Sequence, residues 1–118
     1  MQYDPQNIFA KIIRGEIPCN KVYEDEFAFA FHDIKPEAPK HVLVLPKGEF
    51  VSFDDFAQKA SAEQQAGFFR AIQKIAAQLG VTQSGYRLIT NHGADAAQTV
   101  LHFHVHILAG KPLGGLLP

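Results

Sequence analysis

The stretch LHFHVHILA, residues 101–109, sets His102, His104 and His106 at every second position, in a chain of 118 residues with six histidines in all. Successive side chains on a β-strand point to opposite faces. Read as a strand, the segment places Leu101, Phe103, Val105, Ile107 and Ala109 on one face, apolar throughout and suited to a core. His102, His104, His106 and Leu108 take the other. A helix would scatter the imidazoles around its axis and lose this separation.

Three readings of such a row stand open from the residues alone. A structural row needs a partner for every buried ring nitrogen, a demand that valine or threonine would not make. A zinc site needs ligands converging at ~2.0–2.1 Å. His102 and His106, however, lie roughly 13 Å apart at Cβ along a strand, so only adjacent pairs can share an ion without a sharp bend. A catalytic row spaces imidazoles ~6.6 Å apart, matching successive atoms of an extended polar substrate. Histidine then serves as nucleophile, acid, base or donor near neutral pH. A phosphate ester or phosphoramidate supplies the oxygens and the electrophilic phosphorus.

Outward from this strand, the pattern predicts an α+β domain with a five-stranded antiparallel sheet, a short N-terminal helix and one long helix. Ile8, Phe9, Ile12 and Ile13 follow helical spacing, with Asn7 or Asp4 as the candidate cap and Gly15 and Pro18 as the stop. KVYEDEFAFAFHD predicts a hairpin turning at Asp25-Glu26, with Phe27, Phe29 and Phe31 on its apolar face and His32 opposite. HVLVLP, residues 41–46, is a third strand closed by Pro46. The long helix spans 62–79, capped by Ser61 with Gln64 three residues on. Gly67 inside it is either a tolerated surface glycine or a point of close approach, such as to a second subunit. GYRLITN, 85–91, is a fourth strand, HGADAAQ a loop, and 101–109 the fifth strand. Short turns and helices in blocks, without repeated βαβ alternation, argue for antiparallel pairing.

Composition sets the outer bounds. The length suits a single domain over 1–118. Ten Phe and no Trp make phenylalanine the bulky filler. A net charge of -1 gives no reason to expect nucleic acid or a membrane surface as partner. Cys19, the only cysteine, fits a reducing compartment. No apolar run approaches the ~18 residues of a membrane span, and no secretory signal is evident, so a cytoplasmic protein is expected.

The row His102-Phe103-His104-Val105-His106-Ile107-Leu108 resembles the motif of the histidine-triad (HIT) family. IFAKIIRGEIP, FAFHDIKPEAP, HVLVLPK, GYRLITNHG and AGKPLGG extend the resemblance, in order, to its Hint branch. The resemblance implies a homodimer with joined sheets and the long helix at the interface. It implies hydrolysis of purine nucleoside phosphoramidates and acyl-adenylates to AMP, with no cofactor and no metal. His104 matches the nucleophile, His106 the donor to the α-phosphate, and His102 and His41 the residues that orient and polarise the row. Asp33 matches the carboxylate that binds the ribose hydroxyls, with Ile34, Phe9 and Phe31 at the base. Asn91, Gln98 and Thr99 match phosphate-side positions, and amides near Gly93 are expected to add donors.

The departures are specific. Some bacterial relatives carry a zinc-binding cysteine pair where this chain has Asn7 and Ala10. Thr99 replaces a common serine. Ala97 stands where glycine is usual, so a positive φ there would strain its methyl. The tail GGLLP lacks the Trp of animal Hint proteins. Two other functions compete: Fhit-like cleavage of dinucleoside polyphosphates, for which the chain lacks an obvious extension, and a nucleotide-binding adaptor.

Overall fold

AFAFH and KHVLVLP bury residues on both of their faces, and the architecture follows from that. The computed structural model describes residues 1–117; Pro118, the last residue of the tail considered above, lies outside them. The chain runs α1 (Ile8–Ile13), β1 (Lys21–Glu24), β2 (Ala28–His32), β3 (Lys40–Pro46), α2 (Phe53–Lys59), α3 (Ala62–Gln78), β4 (Tyr86–Ile89), a 3-10 turn at Ala94–Ala96 and β5 (Val105–Ala109). The five strands form one antiparallel sheet in the order β1-β2-β3-β5-β4.

Each face of the sheet has its own cover. Ala28, Ala30, Val42, Val44, Val105 and Ile107 pack on Phe56 of α2 and on Phe68, Ala71, Ile72 and Ile75 of α3. Phe29, Phe31, Leu43 and Leu45 pack on Phe9 and Ile12 of α1. The alanine row of β2 is therefore as buried as the phenylalanine row, unlike the one-sided hairpin expected. Phe103 stacks with Phe56 at 5.0 Å between centroids and meets Phe68 at 5.5 Å. Such aromatic pairs each add ~0.5–1.5 kcal/mol beyond area burial.

Local signals set the helix starts. Asn7 accepts the Ala10 N–H at 2.9 Å, so these two positions form the cap of α1. Ser61 and Gln64 form the reciprocal capping pair expected of them. The helix α2, capped by Ser52, was not foreseen, because its seven residues are too few for a clear period.

Two expectations need correction. The fifth strand begins at Val105, not Leu101, although Phe103 still reaches the core. Gly67 is a buried point of close approach and not a surface glycine, but what approaches is a side chain and not a backbone: a Cβ there would lie 2.3 Å from the Phe27 ring of the same chain. Phe27 has turned away from Phe29 and Phe31 to cover α3. Gly67→Ala gains helix propensity of up to ~1 kcal/mol but must displace that ring near its root, at ~1–3 kcal/mol. The expected outcome is a net loss of ~1–2 kcal/mol in urea denaturation, with recovery in Gly67→Ala/Phe27→Ala.

Candidate active site

The bend before β5 creates the site. The chain bends at residues 101–102 and joins the sheet only from Val105, with the Phe103 N–H on the Phe50 carbonyl at 2.7 Å and the Thr90 hydroxyl on the His104 carbonyl at 2.8 Å holding the approach. His102 is 1% exposed and turns inward. Its Nε2 lies 3.0 Å from the Pro46 carbonyl oxygen, which can only accept, so the proton sits on Nε2. Its Nδ1 is left to accept from the Tyr3 hydroxyl at 2.7 Å.

The same rule fixes His104. Its Nδ1 lies 2.7 Å from the His102 carbonyl and must donate to it, which leaves Nε2 with a free lone pair. Phe9 meets this ring edge-on at 4.9 Å.

A second chain of tautomers starts at a backbone amide. The Glu37 N–H donates to His41 Nδ1 at 3.0 Å, so the His41 proton lies on Nε2. Nε2 donates to His106 Nδ1 at 2.9 Å, with Asp33 Oδ2 a more distant 3.5 Å away. His106 therefore carries its proton on Nε2. The sheet supplies the alignment, since Leu43 pairs with His106 and His41 with Leu108 on adjacent strands. Asp33, His41 and His106 bring ligand-type atoms within 4.8 Å of one another, the set among the described residues best placed to hold a cation. The His41–His106 hydrogen bond occupies His41 Nε2 and His106 Nδ1.

Two cavities meet here. One, of about 250 Å³, is lined by Asn91, Ala97, Gln98, Thr99, His104 and His106. The other, of about 220 Å³, runs under α1 between Ile8, Ile12, Phe31 and Ile34. Phe9, Asp33 and Leu43 line both. The second is apolar with a single carboxylate at its junction with the first, a form that suits a planar base joined to a sugar. Ile34 is 92% exposed and forms its rim, not its floor.

The loop before the triad is tied to itself. Gln98 accepts the Gly93 N–H at 2.9 Å and donates to the Val51 and Val100 carbonyls at 2.8 and 3.2 Å. Asn91 donates to the Ala96 carbonyl at 2.8 Å. Gln98 and the Gly93 amide thus build the wall instead of offering free donors, which corrects the expectation for both. Ala97 adopts φ 61°, ψ 38°, the one left-handed non-glycine among the described residues. The methyl strain foreseen at this position is present, at ~1–2 kcal/mol.

Of the expected residues, Phe9, Asp33, Asn91, Gln98, Thr99, His104 and His106 line the first cavity, and Phe31 and Ile34 the second. His41 and His102 stand behind them. His32, read as structural, also lines the second cavity, with Leu43. Nothing in the spacing pointed to His32, Leu43 or Tyr3, since each arrives from a distant part of the chain.

Burial pushes His102 from 6.5 down to about 4. Burial, helped by neighbouring His104 and His41, does the same to His106. His104 is also lowered, chiefly by burial. All are neutral at pH 7, as the tautomer chains require.

The HIT domain family model matches residues 14–113. A HIT-like protein of Azospirillum brasilense is 52% identical, the match covering 98% of this chain and 94% of that one. The purine nucleoside phosphoramidase of Escherichia coli is 44% identical over 95% of this chain and 93% of its own length. A solved structure of a HIT family hydrolase from Clostridium thermocellum superposes with TM-score 0.87 at 40% identity, covering 96% of this chain and 97% of that one. The chain belongs to the HIT domain family.

A depressed histidine binds fewer protons folded than unfolded. Its contribution to stability is therefore full above the unfolded value of 6.5 and is lost as pH falls through about 4. For His102 this amounts to ~2–3 kcal/mol. Urea midpoints should be flat from about pH 8 to 7 and fall most steeply at about pH 5–6, above the usual carboxylate range.

Proposed function

We propose that the chain hydrolyses purine nucleoside phosphoramidates and acyl-adenylates, releasing AMP through a nucleotidyl-histidine intermediate. The observation that carries this reading is the His104 Nδ1–His102 carbonyl bond, 2.7 Å long, which leaves Nε2 unprotonated beside the cavity. The Escherichia coli relative bears the name of that activity.

In this reading the base enters the apolar cavity under α1 and the ribose hydroxyls bond to Asp33. The α-phosphate then lies among His104, His106 and Thr99. His104 Nε2 attacks phosphorus, a P–N(His) bond forms, and the bond to the amine or acyl oxygen breaks with its electron pair on the leaving group. The leaving nitrogen takes up a proton from solvent water as its bond to phosphorus breaks, whereas an acyl group leaves as a carboxylate without one. His106 Nε2–H donates to a phosphoryl oxygen as charge grows there. The positive charge on the nucleotidylated ring is delocalised to Nδ1–H and stabilised by the His102 carbonyl. Water then attacks phosphorus, a P–O bond forms as the P–N(His) bond breaks with its electron pair returning to Nε2, and the water's proton passes to solvent.

We also propose that the active form is a homodimer joined at β4. This edge strand leaves Tyr86 and Leu88 37% and 46% exposed on the helix-covered face, and Phe69 of α3 is 53% exposed. An uncovered apolar edge invites a second copy. Leu88→Lys should shift the protein from dimer to monomer in sedimentation velocity, and a wild type that sediments as a monomer overturns the dimer.

Turnover of an adenosine 5′-phosphoramidate tests the chemistry. His104→Ala should lose roughly 10^4-fold in kcat, and Asp33→Asn should raise KM by about 10- to 100-fold, the worth of a charged hydrogen bond. Unchanged turnover in His104→Ala removes the nucleophile. Cleavage of a dinucleoside polyphosphate in place of the phosphoramidate favours the other hydrolase reading, and AMP binding without turnover of either favours an adaptor.

A further inference from the structure

Tyr3 reaches the triad from the segment that precedes α1, across 99 residues of sequence. Its hydroxyl lies 2.7 Å from His102 Nδ1 and its ring meets the imidazole edge-on at 5.6 Å. His102 Nε2 is already committed to the Pro46 carbonyl at the end of β3. A neutral imidazole has one donor and one acceptor. With both filled, the His102 ring is fixed at each end, and Tyr3 supplies the second of the two fixings.

The consequence reaches His104 through the backbone. The His102 carbonyl is the acceptor that orients the His104 ring and selects its tautomer. A ring locked at both nitrogens cannot swing, so the peptide that carries this carbonyl is held. Without the hydroxyl, Nδ1 of a residue 1% exposed has no partner. The ring must then tilt towards water or admit it, and residues 102–104, outside any strand, have no ladder to resist that movement. Burial pushes the Tyr3 phenol above its ordinary value, so it remains a donor across the working pH range.

We propose that Tyr3 is a positioning residue for the reaction: by donating to His102 Nδ1 it holds the carbonyl that aims His104. This rests on the proposed function for its kinetic part only. Tyr3 touches no substrate, so its loss acts on kcat and leaves KM alone.

Tyr3→Phe keeps the ring and removes the donor. Tyr23→Phe, which deletes a hydroxyl bond to Asp25 of 2.8 Å far from the triad, is the control. With adenosine 5′-phosphoramidate as substrate, Tyr3→Phe should lower kcat about tenfold, the cost of a small misplacement of a reacting group, with KM within twofold of wild type. Tyr23→Phe should leave both unchanged. Long-range ¹H–¹⁵N spectra of the histidines, recorded without substrate, should show two changes in Tyr3→Phe. The His102 Nδ1 resonance should move to that of an unbonded acceptor, and His104 should lose its single Nδ1–H tautomer. A kcat within twofold of wild type, or a His104 tautomer that does not change, overturns the assignment. Wild type without any turnover sinks the proposed function, and the His104 spectra then decide on Tyr3 by themselves. If Tyr3→Phe does not fold, the wild-type spectrum decides: His102 protonated on Nδ1 instead of Nε2 is incompatible with the proposal.

Discussion

The hydrogen bond from His104 Nδ1 to the His102 carbonyl, 2.7 Å long, requires that the chain not be a strand where it forms. In an extended strand, carbonyls point sideways into the ladder while side chains stand above it. A residue's ring does not reach the carbonyl two positions back. The chain therefore bends at residues 101–102 and becomes β5 only at Val105. The bend gives up ladder hydrogen bonds. The Phe50 carbonyl and the Thr90 hydroxyl replace part of them, and Phe103 anchors the bent segment in the aromatic core. The remainder of the site depends on this, because a straight strand would leave the tautomer of His104 to solvent.

All four buried or half-buried imidazoles of the site are settled by backbone groups, either directly or through one neighbour. The Glu37 amide fixes His41, and His41 fixes His106. The Pro46 carbonyl fixes His102, and the His102 carbonyl fixes His104. Among the described residues, no carboxylate approaches His104 Nδ1 at hydrogen-bonding distance. A carboxylate there would favour the charged ring, whereas a carbonyl orients it while leaving it neutral. Burial acts in the same direction, so geometry and electrostatics agree on a row of neutral rings with one lone pair and one N–H turned to the cavity.

The sheet was readable because β2 and β5 carry period-two patterns and β3 is a short apolar run closed by Pro46, and α3 was readable because Ser61 and Gln64 announce its start. The triad was legible as a row, and the alternation placed Phe103, Val105, Ile107 and Ala109 in the core as found, whereas Leu101, expected with them, lies at the bend and is only half-buried. Periodicity could not reveal that His102 and His104 lie outside the strand, since a two-residue bend preserves which side faces the core. Gly67 was visible as an anomaly. Its partner Phe27 was not, because that contact joins a hairpin turn to a helix 40 residues on. Gln98 and Asn91 have the chemistry of phosphate donors. Only the folded loop reveals that several of their polar groups are spent on Gly93, Val51, Val100 and Ala96. The family resemblance supplied the roles of Asp33 and His41, which composition and spacing leave as ordinary turn and strand residues.

Ala97 turns the wall of the cavity into a loaded clasp. Its left-handed backbone stays closed only while the Gln98 N–H holds the Gly93 carbonyl and the Gln98 side chain holds Gly93 in return. Strain in that turn offsets part of what its hydrogen bonds contribute, so this lip is the part of the rim that costs least to open. The rings on the opposite side, each bolted to main chain, stay where they are.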